Sequence, residues 1–353
     1  MTYRQKETEA VLSAWSAGQS VSVIGVGSAG KTNFVQHLAR SGSTHAPASY
    51  WPERMAAIVA DANLLGPLPE PGDPRRRMLA YWAGCELLLH RTFMALYPFD
   101  TFTDAERTTL YQAYEALQDG SNALYAQLAL RYLELGLSVA LRAGYRLVFL
   151  FDEFERFASL LPEDFFQSLR GLRDLNKRQV MYATMSRSPL PDVMHTAGQD
   201  LLRVEPFCEL FNDHTVYLGA HAPEDAQAMV QDLLGRRQAA LSLGAVQTLL
   251  NVTQGHPGLL RACVNAVVDD PTLGRLSGRD LCPALLGVTA VLQECSTLWN
   301  SLSTPEQSCL LQMASGRRPA DPLALMIQQK GLGSRKFQIQ PPVFALFVAR
   351  VQP

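Results

Sequence analysis

The sequence lacks the segments and charge patterns that mark several large classes of protein. Its 353 residues contain no run of about 18 apolar residues, and the N-terminus has no apolar core like that of a signal peptide. The net charge is −2, so no overall positive field attracts nucleic acid or an anionic membrane, although a local basic patch is compatible with it. We therefore expect a cytoplasmic protein that is not bound to a membrane.

Cysteine-based sites and internal repeats are also missing. The six cysteines are scattered, without a C-x-x-C pair and without a histidine at zinc-ligand spacing, so we interpret them as reduced and mostly buried thiols. No segment repeats at a fixed period. A composition with 47% hydrophobic and 18% charged residues predicts an ordinary globular chain of two or three domains.

One octapeptide carries the strongest functional signal. Residues 25–32 have the form G-x-x-x-x-G-K-[ST] and lie between an apolar run and an amphipathic helix pattern. Its glycines let the backbone wrap around phosphates and direct N–H groups towards them. Lys31 would neutralise the β- and γ-phosphates of ATP or ADP, and the Thr32 hydroxyl would hold Mg²⁺. The predicted phosphate loop consists of Gly25, Val26, Gly27, Ser28, Ala29, Gly30, Lys31 and Thr32.

A second apolar run ends in two carboxylates, Asp152 and Glu153, in the form of a Walker B motif. Asp152 would hold Mg²⁺ directly or through its water shell, and Glu153 would polarise the water that attacks the γ-phosphate. An acidic helix start after a buried strand is common. The pair indicates a nucleotide site only in combination with Lys31 and Thr32. Together these four residues predict ATP hydrolysis.

Short apolar strands alternate with helices from residue 19 to about 220, which predicts a parallel α/β sheet. The second and third strands are separated by a long helical insertion, residues 62–145, with helices near 76–95, 103–118 and 121–143. Within it, Arg75 to Arg77 either bind an acidic partner or form a solvated first turn. The strands are expected near residues 20–25, 56–61, 146–151, 179–184 and 214–218.

Polar residues follow the fourth strand. In nucleotide hydrolases of the additional-strand type a residue here senses the γ-phosphate, so Thr184 is the candidate sensor and Arg187 is the nearest cation. A capped loop with Arg187 on the surface is the alternative. Arg170 and Arg173, on the preceding helix, either reach a neighbouring subunit as an arginine finger or belong to an ordinary salt-bridged face.

The segment after residue 220 is predicted to be helical, with helices near 223–236, 243–250 and 257–269. The turn Gly255-His256-Pro257 places a proline at the start of the third of these helices, where it can pack on an adenine. Arg261, one helical turn later, is a candidate phosphate sensor. His256 is either a switch residue or a surface histidine.

The C-terminal residues have the pattern of a winged helix-turn-helix. The segment 303–306, Ser-Thr-Pro-Glu, is a capping box with proline just inside the helix. Helices are expected at 304–314 and 321–330, with a break at Gly331 to Gly333 and short apolar runs near 337–339 and 343–348.

With these motifs the chain resembles the AAA+/STAND superfamily of P-loop ATPases, in the bacterial and archaeal branch that has a helical lid and a C-terminal winged helix. The resemblance covers nearly the whole chain and implies an α/β P-loop NTPase sheet of additional-strand type. In that family ADP holds a closed state, ATP an open or oligomeric one, and hydrolysis resets the switch. The implied domains are an N-terminal helix (1–18), an ATPase domain (19–220), a lid (221–285) and a winged helix (286–353).

Three functions follow from these motifs. STAND switches usually carry sensor repeats or an effector domain, and none is expected in a sequence ending at Pro353, so the resemblance implies a partner protein in trans. The leading hypothesis is a regulatory ATPase that controls assembly with that partner, as in bacterial defence or signalling, and that forms a homo-oligomer on ATP binding.

The alternative is a DNA-associated ATPase of the origin-binding or transposition-regulator kind. It would use Lys330, Arg335 and Lys336 at the wing, with Arg317 and Arg318 before it, on duplex DNA. A small-molecule kinase is the third hypothesis, because kinases also have phosphate loops.

Overall fold

The computed structural model describes residues 3–40, 54–118 and 127–351. The chain forms two compact units. The first contains residues 1–7, 24–31 and 217–353, and the second contains residues 8–23 and 32–216. The phosphate loop up to Lys31 therefore belongs to the same unit as the C-terminal helices, whereas Thr32 and the acidic pair belong to the second unit. No single helix among the described residues is long and apolar enough to cross a bilayer.

A five-stranded parallel sheet has the strand order β2-β3-β4-β1-β5. Its apolar strand residues are buried, as β3 and β4 show along nearly their whole length. Because β4 lies between β1, which leads into the phosphate loop, and β3, which ends in Asp152, it is the additional strand that the sequence predicts. The strands are β1 (Val21–Gly25), β2 (Arg54–Asp61), β3 (Tyr145–Asp152), β4 (Val180–Ser186) and β5 (Thr215–Leu218).

The register of the sheet brings the carboxyl ends of three strands side by side. β2 pairs with β3 from Arg54 opposite Tyr145 to Asp61 opposite Asp152. β3 pairs with β4 up to Phe151 opposite Thr184. Carboxyl ends of parallel strands form the edge at which α/β proteins bind ligands, and here that edge carries two carboxylates and a threonine.

The second unit holds the predicted insertion and most of the helices that cover the sheet. Its core is dominated by phenylalanine and leucine side chains from β3, α3 and the helices after β3. The predicted insertion helix at 121–143 begins at residue 129, and residues 121–126 lie outside the described residues. The helices are α1 (Gln5–Ser16), α2 (Lys31–Arg40), α3 (Arg76–Leu96), α4 (Asp104–Gln118), α5 (Ala129–Arg142), α6 (Phe154–Leu160), α7 (Glu163–Leu175), α8 (Leu190–Thr196) and α9 (Leu201–Cys208).

The C-terminal part of the first unit is helical, as the sequence predicts. A single antiparallel bridge joins Gly333 to Ile339, and the apolar run at 343–348 lies in a helix, so the winged helix stays a prediction. All six cysteines are free and buried. The helices are α10 (Pro223–Arg237), α11 (Leu243–Thr253), α12 (Pro257–Asp269), α13 (Gly278–Leu285), α14 (Thr289–Asn300), α15 (Thr304–Ala314), α16 (Asp321–Gln329) and α17 (Pro342–Val351).

Candidate functional site

The phosphate loop joins β1 to the N-terminus of α2. Gly30 has a φ of 87°, a left-handed conformation that glycine adopts without a steric cost. The Lys31 ammonium donates to the carbonyl oxygens of Gly25 at 2.6 Å and Val26 at 3.0 Å. The lysine is thus folded over its own loop, with its charge directed at the loop's carbonyl groups.

Two C-terminal helices of the first unit bind the phosphate loop directly. The backbone N–H of Gly27 donates to the buried Ser301 hydroxyl, just after α14, at 2.8 Å. The backbone N–H of Gly258, in the first turn of α12, donates to the carbonyl oxygen of Ser28 at 3.2 Å. A Cβ placed on Gly27 would lie 3.0 Å from the Ser301 Cβ, so the loop and α14 are in close contact.

The N-terminal segment binds the other side of the same loop. Arg4 is 2% exposed, and its guanidinium donates to the carbonyl oxygens of Ala29 at 2.8 Å and Gly219 at 2.9 Å. Its backbone N–H donates to the Asp225 carboxylate at 3.0 Å. Arg4 therefore links the N-terminal segment to the phosphate loop, to Gly219 and to the first turn of the helix that begins at Pro223.

The predicted lid contacts lie close to the loop. Pro257 begins α12, and its Cγ would stand 4.0 Å from a Cβ on Gly30. The Arg261 guanidinium is half-exposed and lies 3.8 Å from the Glu294 carboxylate on α14. The Glu294 Oε1 atom is buried and has no hydrogen-bond partner among the described residues. Pro257 thus lies beside Gly30 of the loop, whereas Arg261 faces a carboxylate of its own unit.

His256 is a buried residue, which corrects the interpretation of a surface histidine at a turn. It is 1% exposed, and burial, with the positive charge of Arg4 next in size, lowers its pKa to about 3. Burial also lowers the pKa of His221 to about 4. Both rings are therefore neutral at physiological pH, and their four nitrogens have no hydrogen-bond partner among the described residues.

The acidic edge of the second unit holds the candidate metal ligands. Asp152 is 8% exposed, and burial raises the pKa of its carboxyl group. A side-chain hydrogen bond with Thr32 opposes this rise, and the charges of Glu153 and Asp61 add to it. A hydroxyl and a carboxylate are hard oxygen donors of the kind that Mg²⁺ prefers, so Thr32 and Asp152 fit the role predicted for them.

Glu153 follows β3 in a left-handed conformation, with φ 50° and ψ 54°. Its carboxylate is half-exposed and lies 3.8 Å from the Arg156 guanidinium. Because this carboxylate is exposed, water can reach it.

The candidate sensor residues differ in their surroundings. Thr184 is fully buried, and its hydroxyl has no partner among the described residues. An unpartnered buried hydroxyl is costly, which is consistent with a group kept for a ligand. Arg187 is exposed, and its backbone N–H donates to the Glu155 carboxylate at 2.5 Å.

No model of a protein family and no curated protein matches this chain. Among solved structures, the Walker-type ATPase PABY2304 of Pyrococcus abyssi is similar over 99% of this chain and 96% of that chain, with a TM-score of 0.54 and 12% identity. The chain therefore has the fold of a Walker-type P-loop ATPase, as the sequence predicts.

Two further solved structures are less similar. Orc1 of Aeropyrum pernix, in complex with DNA, has a TM-score of 0.42 and 13% identity, over 95% of this chain and 74% of that chain. The RuvB Holliday junction branch migration motor of Thermotoga maritima has a TM-score of 0.37 and 12% identity, over 92% of this chain and 80% of that chain.

The two candidate arginine fingers of this P-loop ATPase fold are bound within the second unit. Arg170 pairs with Asp174 at 2.8 Å and with Glu209 at 3.3 Å. Arg173 donates to the carbonyl oxygen of Gly18 at 2.7 Å. Both arginines are therefore bonded to residues of their own chain, as in the alternative interpretation of an ordinary salt-bridged helix face.

One predicted DNA contact is misplaced. Lys330 is fully buried and pairs with the buried carboxylate of Glu306, so it is not part of an exposed wing. Sequence reasoning also missed Ser301 and Arg4 as neighbours of the phosphate loop, and Glu294 as the partner of Arg261. No motif marks these three residues, because their positions depend on contacts between segments far apart in the chain.

Proposed function

We propose that this protein is an ATP- and Mg²⁺-dependent regulatory ATPase, and that its nucleotide state controls assembly with a partner protein. The observation that carries the proposal is the hydrogen bond between Gly27, in the phosphate loop, and Ser301, at the end of α14. The loop that would hold the phosphates is bonded to the C-terminal helices of its own unit, so a change at the loop acts on those helices.

The chemistry assigned to the loop follows from its own residues. A triphosphate would attract the Lys31 ammonium away from the carbonyl groups of Gly25 and Val26. Thr32 and Asp152 would hold Mg²⁺, which supplies charge to the phosphate oxygens when it is bound. Glu153 would accept the proton of the attacking water.

The coupling has a direct physical route. Binding of phosphate changes the hydrogen bonds of a loop whose Gly27 N–H and Ser28 carbonyl are bound to Ser301 and Gly258. A ligand shifts a conformational equilibrium only as far as it prefers one state. Here the two states would differ in whether α12 and α14 keep their bonds to the loop.

Two loop variants test the nucleotide chemistry. Lys31→Ala is expected to abolish binding of a fluorescent ATP analogue, whereas Glu153→Gln should keep binding and lose turnover. Phosphate release without an added acceptor distinguishes a hydrolase from a small-molecule kinase. Full turnover in Glu153→Gln would show that another group is the base.

The switch itself is tested by molecular mass and shape. Light scattering and small-angle X-ray scattering of the protein without nucleotide, with ADP and with a non-hydrolysable ATP analogue should give different values, and Lys31→Ala should remove the difference. Identical values in all three states, for the wild-type protein that binds nucleotide, would refute the switch.

The DNA-associated alternative loses one of its five predicted cations, because Lys330 is buried against Glu306. Binding to mixed-sequence duplex that weakens steeply with salt would support it, since each phosphate contact releases counterions. The absence of such binding with ATP present would exclude it.

A further inference from the structure

A groove on the C-terminal helices combines positive charge with an apolar floor. It lies between the end of α15, the segment 336–339 and one face of α17, and it has a volume of about 520 Å³. We call it the α15–α17 groove. Its lining residues are Met313, Ala314, Gly316, Arg317, Arg318, Lys336, Phe337, Gln338, Ile339, Ala345 and Ala349.

The charged residues of the groove are all of one sign. Arg317, Arg318 and Lys336 are exposed, and the lining residues include no aspartate or glutamate. The Arg318 guanidinium lies 5.0 Å from the centre of the Phe337 ring and pairs with Asp321, which is outside the groove. Stacking on an aromatic ring holds a guanidinium in place. Its pair with Asp321 is exposed on both sides and therefore weak, so a ligand carboxylate can replace Asp321.

The floor of the groove is apolar. Met313 and Ile339 are buried, and Ala345 and Ala349 lie one turn apart on α17. Two small side chains at this spacing share a helix face and leave a recess there. An apolar side chain of a ligand in the recess would remove its own surface and that of the floor from water. This burial is favourable by about 25 cal/mol per Å² of apolar area.

We propose that the α15–α17 groove binds an acidic peptide segment of a partner protein, with an apolar side chain in the recess and carboxylates at Arg317, Arg318 and Lys336. Charge complementarity selects the acidic segment, and the apolar recess selects a peptide over a phosphate backbone, which has no apolar group to fill it. The inference rests on the proposed function for the existence of a partner, but the groove itself requires no nucleotide.

The test uses two fluorescein-labelled peptides of equal length on the full chain. One alternates glutamate with leucine, and the other has lysine in place of every glutamate. Fluorescence anisotropy should show saturable binding of the acidic peptide alone. Arg317→Glu with Arg318→Glu should weaken it at least roughly tenfold, a loss of about 1.4 kcal/mol. Arg350→Glu, which reverses an exposed charge of α17 outside the groove lining, is the matched control and should leave the affinity unchanged.

A second variant tests the recess without changing the charge. Ala349→Leu fills the floor from an exposed helix position and should weaken the peptide as strongly as the charge reversal. Urea denaturation verifies that each variant is folded. Failure of the acidic peptide to bind, or equal binding by all variants, would overturn the proposal.

Two further arms separate this inference from other outcomes. Duplex DNA that binds through Arg317 and Arg318 and is unaffected by Ala349→Leu would show a nucleic-acid surface instead. Lys31→Ala should bind the acidic peptide as the wild type does. If the acidic peptide binds but mass and shape do not change with nucleotide, the switch is refuted and the groove proposal stands. If mass and shape change with nucleotide but the peptide does not bind, only the groove proposal is refuted.

Discussion

Lys330 and Glu306 form an ion pair in which the two side chains are 0% and 1% exposed. The other oxygen of the same carboxylate accepts a hydrogen bond from the backbone N–H of Ser303 at 2.9 Å. Glu306 thus caps the start of α15 and neutralises the buried ammonium that follows α16. Each charge depends on its partner because neither reaches water.

Removing one partner of this pair should be strongly destabilising. Lys330→Met leaves the Glu306 carboxylate buried without a counter-charge, and we expect a loss of about 3–5 kcal/mol in the free energy of unfolding. Urea denaturation measures it. Lys336→Met, an exposed lysine in the same region, is the control and should change stability by less than about 0.5 kcal/mol. Adding Glu306→Gln to Lys330→Met should recover part of the loss, and a lack of recovery would contradict the pairing argument.

Ser301→Ala should release the phosphate loop from α14. The Gly27 N–H loses its acceptor, so we expect faster hydrogen exchange of the loop amides and a loss of stability of about 1 kcal/mol. Mass spectrometry of loop peptides measures the exchange. The control is Ser296→Ala on the same helix, whose hydroxyl donates only to its own helix at the Leu292 carbonyl group. Equal exchange in the two variants would contradict a loop held by Ser301.

The two buried histidines should make the protein acid-sensitive. Their pKa values, about 3 for His256 and about 4 for His221, lie below the ordinary value of 6.5. Below pH 6.5 the unfolded chain takes up protons that the folded chain does not. The stabilisation that depends on the neutral histidines is therefore fully present above pH 6.5 and is lost as the pH falls towards 4. The expected slope approaches about 1.4 kcal/mol per pH unit per histidine.

Urea denaturation at several pH values between 7.5 and 4.5 checks this slope. His221→Gln should reduce it by the share of one histidine. His195→Gln, which replaces an exposed histidine of α8, is the control. A slope that is the same in wild type and in His221→Gln would rule out the buried histidines as its source.

Asp152→Asn should have opposite effects with and without metal. Burial raises the pKa of this carboxyl group, so its ionised form costs the folded state stability as the pH rises above the ordinary value of 3.8. We expect the asparagine variant to be more stable than wild type at neutral pH without Mg²⁺. It should gain less from Mg²⁺ and ATP, with metal affinity reduced at least roughly tenfold. Thermal melts in EDTA and in Mg²⁺·ATP measure both effects, and equal Mg²⁺ stabilisation of the two proteins would exclude Asp152 as a ligand.

Patterns confined to short segments predict much of this fold. The strands follow from apolar runs, and the helices at 223–236, 257–269 and 304–314 follow from periodicity and from proline at their first turns. The phosphate loop and the acidic pair are local motifs, and the register of the sheet places Asp152 at the predicted edge.

Contacts between distant segments are not predictable in this way. Lys330 stands in a basic stretch, where an exposed lysine is the ordinary expectation, yet its position is decided by Glu306, 24 residues earlier. Ser301 meets Gly27 across 274 residues. His256 sits at a turn, which usually means exposure, but this turn is buried under the packing of the first unit.

The left-handed backbone of Glu153 has a consequence for the stability of this protein. A residue with a Cβ pays about 1 kcal/mol or more for the φ of 50° found there, and glycine adopts it without that cost. Glu153→Gly should therefore raise the melting temperature while it removes the carboxylate. Stability alone therefore favours glycine at this position, and the glutamate that occupies it keeps a solvent-exposed carboxylate against a cost of about 1 kcal/mol.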